Sequence, residues 1–537
     1  MNSKKLAVLS ALALTLVLGL MFFGGERTRA AGTWYVNSTT GSNSFDCMSP
    51  ATACQTINAA IGKASSGDTI NVAAGLYSES VAINKTLTLL GAQANVDART
   101  RTGAESIIDN ACSPVSIYAD NVTLNGFTVQ GSTTADPCNI AGIWTNPGYS
   151  GTQGGHQILY NIIQNNIAGI ELDNSGVFQT KVQYNLIQNN NNDGPGPGNG
   201  IEVTTFGLKN ALIDKNKFSG HVNSSMIVEL SSDGIAFSNN ELVGGATERV
   251  VFGLVTNSSI TGNTSIGSTS SGTIRLFGGN NGITITCNTL ASGQRGIRVD
   301  DCCELGPNSN ITANQNNIQG NAIAGLEVAS GSYFGGSLDA TQNWWGSPSG
   351  PFNATSNPSG TGNAVVDPDG AVTFIPYRTS PSSCAPVPDL CPLDPNKTDP
   401  GVCGCGTPDT DTDHDGTPDC NDACPSDPNK TAAGACGCGH VDTPGCTTNK
   451  KDCHQFVENE EKNFNDGQKN QKKAFDDQQK TDKKNFDATH PTPAQRKAFE
   501  EGQKNDKKNF DDQQKAAKDA FQVHYKAEEQ QCNQLPK

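Results

Sequence analysis

The sequence predicts a mainly β chain built as a parallel β-solenoid, followed by a small cysteine-rich module and a C-terminal α-helical hairpin. Three observations carry this reading. An asparagine returns once every 23 to 31 residues through the middle of the chain, short alternating strands open on glycine, and a phenylalanine returns every 11 residues near the end.

The asparagines are Asn161, Asn185, Asn216, Asn240, Asn263, Asn288, Asn316 and Asn343, separated by 24, 31, 24, 23, 25, 28 and 27 residues. One coil of a solenoid has that length, and a fixed period of this size marks stacked supersecondary units. The segments before them, such as Val182-Gln183-Tyr184 and Ile283-Thr284-Ile285, alternate with period two, as strands with one buried face do. No coil can bury its apolar side alone, so neighbours stack into a continuous core. Asn suits the bends because it tolerates left-handed backbone and can hydrogen-bond from rung to rung.

The chain has 537 residues, 18 Cys, 58 Gly and a formal net charge of −16, which points to several modules. Lys4 and Lys5, the apolar run Leu6 to Phe23 and the small residues Ala30 and Ala31 read as a signal peptide over 1–31. An uncleaved anchor is the alternative, and no later segment is apolar enough to span a bilayer. Export makes the cysteines disulfides rather than reactive thiols. The acidic balance excludes nucleic acid as a partner, because binding that polyanion needs clustered Lys and Arg. The lysine-rich tail interleaves them with Asp and Glu.

Trp34-Tyr35-Val36-Asn37, Cys54-Gln55-Thr56-Ile57-Asn58-Ala59-Ala60-Ile61, Gly67-Asp68-Thr69-Ile70-Asn71-Val72 and Leu87-Thr88-Leu89-Leu90-Gly91-Ala92 resemble the N-terminal cap and first coils of a known family. Asn343-Trp344-Trp345-Gly346-Ser347-Pro348 resembles its closing motif. The family is that of the bacterial pectate-lyase-like β-helix proteins, and the resemblance implies a right-handed parallel β-helix over 33–378. It is specific for fold and weak for function, since that scaffold hosts lyases, hydrolases, epimerases and adhesins.

Between Cys384 and Cys446 the composition turns to Pro, Asp, Gly and Cys, so this segment needs disulfides or metal to hold a shape. Asp411, Asp413, Asp415, Asp419 and Asp422 stand at positions 1, 3, 5, 9 and 12 of an EF-hand-type loop, with Gly416 at position 6. Asp409 and Thr417 join them as candidate ligands. A hard cation needs several converging oxygens, so Ca²⁺ is the expected cofactor. The flanking Cys391-Pro392 and Cys424-Pro425, with the duplicated Asp394-Pro395-Asn396-Lys397-Thr398 and Asp427-Pro428-Asn429-Lys430-Thr431, resemble thrombospondin type 3 repeats. Cys403-Gly-Cys405 and Cys436-Gly-Cys438 are spaced too tightly for zinc and read as disulfides.

Aligning the glycine-initiated strands places Glu171, Glu202 and Glu229 in one outward column that runs through Gly253 into Arg275 and Arg298, with Asp300 and Asp301 just beyond. Stacked carboxylates raise one another's pKa, as a general acid requires, and their rung spacing brackets that of glycosidase carboxylate pairs. An exposed strand of a solenoid must carry something polar, and charge of both signs is the default, so the stronger reading of the same column is a solvated face. The catalytic signature of polygalacturonases is missing. Asp300-Asp301 is not followed by Gly-His-Gly, and His156 and His221 lie upstream, where they read as turn residues.

In the tail, Phe464, Phe475 and Phe486, then Phe499, Phe510 and Phe521, mark two helices of three-turn period. Thr492 and Gln495 form a capping box around Pro493. Folding the helices antiparallel pairs Phe464 with Phe521, Phe475 with Phe510 and Phe486 with Phe499, and brings Cys453 to Cys532 as a disulfide closing a hairpin over 450–535. The chain therefore reads as a secreted or cell-surface protein that binds a carbohydrate or another polymer without catalysis. The alternatives are a polysaccharide lyase, hydrolase or epimerase on the same face, and a purely structural cell-envelope protein.

Overall fold

A computed structural model describes residues 30–134, 138, 140–147, 153–245, 247–269, 271–387, 394, 396–397, 401–432, 438, 449–488 and 492–535. Residues 1–29, most of the expected signal peptide, lie outside that set, as do Cys391, Cys436 and Cys446. The chain divides into two compact units, Met1–Pro388 and Asp389–Lys537.

The first unit is a parallel β-helix whose coils each contribute one strand to three parallel sheets of 13, 10 and 11 strands. One coil runs Gln157–Leu159, Ile162–Gln164 and Ala168–Glu171, and the next runs Asn174–Gln183, Leu186–Gln188 and Asn199–Val203. We call these the first, second and third sheets, in the order the chain visits them. Register stacks like on like. Ile158, Val182, Ile213, Phe237, Ile260 and Ile285 form one inward file of the first sheet, each fully buried.

The bend from first to second sheet holds the asparagine column. Asn161 accepts from Phe127 N, and from Asn185 onward each amide side chain accepts from the backbone N–H and the Nδ2 of the asparagine one coil earlier and donates to a carbonyl. Asn240 Oδ1 takes Asn216 N at 2.9 Å and Asn216 Nδ2 at 3.1 Å, while its own Nδ2 reaches Ile213 O at 2.9 Å. The left-handed residue of the bend is the one before the asparagine, against expectation: Tyr160, Tyr184, Lys215, Asn239, Gly262, Cys287, Gln315 and Gln342 have φ of 52 to 68°. The asparagine is selected for its amide, not for its backbone.

A second ladder, which the sequence did not disclose, runs along the bend from second to third sheet. Asn190 accepts from Asn166, and Asn321 pairs with Asn363. Between them the column changes chemistry. His221 Nε2 lies 3.1 Å from Ile187 O, in the role of an asparagine amide, and Arg249 donates to Val243, Ile266 and Gly267 carbonyls. His221 is therefore a buried rung rather than an exposed turn residue, and His156 is equally buried. Burial holds both imidazoles down to about 4 and pushes Arg249 down to about 10.

Cys47–Cys54 ties the cap at the amino end, where the Asp68 carboxylate takes Gly32 N, Ser65 N and Trp34 Nε1. Cys287–Cys384 ties the segment after the last coil back to the first-to-second bend, so Cys384 belongs to the β-helix and not to the cysteine-rich module. In the second unit, Cys403–Cys420 and Cys424–Cys438 cross-link the acidic segment. Helices Lys450–Asp487 and Pro493–Gln534 form the hairpin, with the Thr492/Gln495 capping box in place. Its rings stack as Phe464–Phe521, Phe475–Phe510 and Phe486–Phe499 at 4.1, 4.3 and 4.1 Å, and Cys453 is bonded to Cys532.

Asn240→Ala leaves Asn216 N and Ile213 O buried without partners, at about 1–3 kcal/mol each. The variant is expected to lower the denaturation midpoint of the β-helix while leaving the helical signal of the hairpin unchanged, as followed by circular dichroism.

Candidate functional site

The outward column of the third sheet is Trp144, Glu171, Glu202, Ile227, Val251, Arg275, Arg298 and Glu327. Glu171 and Glu202 are partners on adjacent rungs, as expected. Glu229 and Gly253 are not in the column. The strands Ser224–Val228 and Glu248–Phe252 start two residues earlier than a glycine-based alignment places them, because Ser225 and Arg249 stand where the neighbouring coils have Gly200 and Thr273. Glu229 falls beyond the strand end and is exposed.

Glu171 and Glu202 are only 5% and 2% exposed. The Thr205 hydroxyl donates to Glu171, and Asn199 Nδ2 donates to Glu202 at 3.2 Å. Burial pushes the Glu202 carboxyl up to about 8, and the charges of Glu171 and Glu229 add to the effect. The positive half of the column is consumed by ion pairs. Arg275 meets Glu248 at 2.9 Å and Asp300 at 3.0 Å, Arg298 meets Asp300 at 3.0 Å, and Arg295 meets Glu327 at 2.6 Å. Asp301 accepts Leu305 N and shapes a turn.

A polar cavity opens one step further along the coil, where the chain passes from third to first sheet. It has about 40 Å³ and is lined by Asn146, Gln153, Asp173, Asn174, Phe206 and Lys209 among others. Thr145 Oγ1 accepts Asp173 N at 2.8 Å, and Asp173 Oδ1 accepts Phe206 N at 3.0 Å. Asp173 Oδ2 and Gln153 Oε1 are buried without a hydrogen-bond partner. Burial pushes the Asp173 carboxyl up to about 6, and Glu171 adds to that. Phe206 is 42% exposed and Phe178, in the first-sheet strand Asn174–Gln183, 49%. Two unpaired acceptors in a wall ask for donors such as ligand hydroxyls, and a half-exposed ring offers an apolar face to a sugar's C–H groups. The sequence reading passed over Asp173 and Asn174; the only signal was their place two and three residues past Glu171 on the same edge.

In the second unit, carboxylate oxygens of Asp411, Asp413 and Asp415 lie within 4.8 Å of one another. Asp413 Oδ2 and Asp422 Oδ2 are buried without partners, and burial raises the Asp413 carboxyl, with Asp415, Asp422 and Asp411 reinforcing it. His414 and Gly416 take left-handed φ of 66 and 97°, folding the loop around these oxygens. Two expected ligands point elsewhere. Asp409 pairs with Lys397 at 3.0 Å, and Asp419 accepts from Thr410 and Thr412. Thr417 N donates to Asp415 Oδ1 at 2.8 Å.

No protein-family model and no curated protein matches the chain. Among solved structures it is similar to the pectate lyase Pel9A, at 12% identity and a TM-score of 0.40, over 65% of this chain and 80% of that one. It is also similar to the catalytic unit of the thermostable GH87 α-1,3-glucanase from Streptomyces thermodiastaticus strain HF3-3, at 14% identity and a TM-score of 0.27, over 60% of this chain and 66% of that one.

Glu202 has a folded-state pKa above its unfolded value, so its contribution is fully present below about pH 4.5 and is lost as pH rises through about 8. Glu202→Gln is therefore expected to raise the thermal midpoint relative to the parent above pH 8 and to leave it nearly unchanged near pH 4. Equal shifts at both pH values would show that Glu202 is not neutral when folded.

Proposed function

We propose that this is a secreted or cell-surface carbohydrate-binding protein without catalysis, whose β-helix presents an elongated polar edge to a polysaccharide or similar surface polymer. The observation that carries the reading is Asp173 Oδ2, buried and without a donor, in a cavity beside the half-exposed Phe206. A sugar hydroxyl supplies the missing donor, and Gln153 Oε1 takes a second. The outer face of the first sheet supports a polymer over a membrane or a folded partner. Thr33, Thr69, Thr88 and Thr123 stand in one register column, and past Gln157, Lys181, Leu212 and Ala236 the same column resumes as Ser259, Thr284 and Thr312, at roughly 4.8 Å per rung. Among the described residues six disulfides agree with an oxidising, extracellular setting, and no helix is long and apolar enough to cross a membrane.

A polysaccharide lyase, hydrolase or epimerase is the second reading, favoured by Glu202, a carboxyl that stays protonated to about pH 8 one rung from Glu171. Its weakness is access. A general acid must reach the glycosidic oxygen, and Glu202, 2% exposed, does not line the cavity that opens beside Asp173. Calcium in the Asp411, Asp413, Asp415 and Asp422 loop is the third part of the proposal: carboxylates drawn this close repel one another unless a cation or proton sits among them.

Screening the full chain against neutral glycans and polyuronates, for binding and for turnover, tests the main reading. Asp173→Asn and Phe206→Ala are each expected to weaken binding of the best glycan by roughly tenfold or more, the loss of a charge-assisted hydrogen bond or of an apolar contact. Turnover that disappears in Glu202→Gln would install the enzyme reading instead.

Calorimetry with Ca²⁺ tests the loop. The full chain is expected to take up the ion and Asp411→Asn/Asp413→Asn to lose that uptake, while no heat at millimolar Ca²⁺ would remove calcium from the proposal.

A further inference from the structure

Cys302 and Cys303 are the two free thiols among the described residues, and both are exposed. The other described cysteines are bonded, in the β-helix and in the second unit alike. The pair lies in the turn that follows the third-sheet strand Arg295–Val299, where Cys302 N donates to Phe277 O at 3.4 Å and Asp301 Oδ1 fixes Leu305 N. Their sulfurs approach to 2.6 Å, well inside ordinary sulfur contact. Cys302 also feels the charges of Arg275 and Asp300, the core of the ion-pair cluster on that edge. None of these features is needed by the carbohydrate cavity, which lies on other coils.

We propose that Cys302 and Cys303 close a vicinal disulfide in the exported protein and form a reducible site distinct from its structural disulfides. The proposal rests on folding in an oxidising compartment, which the other bonds already require. The step is thiol–disulfide exchange with a donor disulfide. The Cys303 thiolate attacks one donor sulfur and expels the other as a thiolate. Cys302, whose thiol is pushed up to about 11 by burial and by Cys303, then gives its proton to that thiolate and attacks the Cys303 sulfur, releasing the second donor sulfur. Two protein thiols become one disulfide, and one donor disulfide becomes two thiols.

Neighbouring Cα atoms across a trans peptide are about 3.8 Å apart, short of the usual disulfide span of about 4.4–6.8 Å. A ring closed under that constraint, and at the surface, has a higher reduction potential than relaxed, buried bonds. Cys453 and Cys532, fully buried at the end of the hairpin away from the Thr492 turn, are the internal comparison.

The full chain, purified from an oxidising compartment without reductant, is alkylated after denaturation and mapped by mass spectrometry. Cys302 and Cys303 are expected unlabelled and joined to each other. In a glutathione titration they are expected to take label at a ratio of reduced to oxidised glutathione at least roughly tenfold below that needed for Cys453 and Cys532. Cys302→Ser is expected to leave Cys303 labelled before any reductant is added, with the β-sheet signal unchanged. Label on either thiol of the unreduced parent, a bond from either one to another cysteine, or reduction no earlier than Cys453–Cys532 would each overturn the proposal.

Discussion

Rung-to-rung registry is the constraint on which the β-helix depends. Each coil buries its inward residues only because the next coil repeats its bends at the same places, and the buried asparagine amides hold those bends in phase. An amide at that bend must accept from the coil before it and donate to a carbonyl within it. Asp lacks the donor, and Gln reaches too far. The coils vary from 23 to 31 residues in length, yet the ladder does not drift. The extra length is expelled at the other bends, and the edge between third and first sheets carries the Asp173 cavity and the exposed rings of Tyr118, Phe206 and Phe334.

That separation of duties explains where charge is found. On the third-sheet column, the carboxylates that lack cations, Glu171 and Glu202, are covered, and burial drives Glu202 toward neutrality; those that have cations are locked to Arg275, Arg295 or Arg298. Either fate removes a group from general acid–base work on a polymer. Asp173 differs because one oxygen is satisfied by Phe206 N and the other is left facing a void. A buried acceptor without a donor costs about 1–3 kcal/mol, which a ligand hydroxyl relieves on binding.

Much of this was legible in the sequence, for a reason specific to each part. The asparagine period and the 11-residue phenylalanine period are one-dimensional images of three-dimensional stacking, so Asn161 to Asn343 and the Phe464–Phe521 pair could be placed by counting. The column carrying Glu171 and Glu202 could be placed as well, but Glu229 could not. Counting from glycine fails in coils where Ser225 and Arg249 replace it, and a two-residue slip keeps the inward and outward faces the same, so alternation gives no warning. Exposure was misjudged on the same strands, because loops that cover an outward residue belong to neighbouring coils. His221 and Arg249 escaped notice because a ladder that changes residue type from coil to coil has no period to count.

The hairpin solves the opposite problem with almost no core. One stacked phenylalanine pair per three turns buries little, and apart from Cys453, Cys532 and Val457 no described side chain of the two helices is fully sheltered. Fixing the ends of a 79-residue separation removes roughly 4–5 kcal/mol of chain entropy from the unfolded state, comparable to what burying several aliphatic side chains would provide. The disulfide sits at the open end of the hairpin, farthest from the capped turn at Thr492, where the helices would otherwise fray. A charged hairpin closed at both ends can stay long and water-facing without an apolar seam that would pair with other copies of itself.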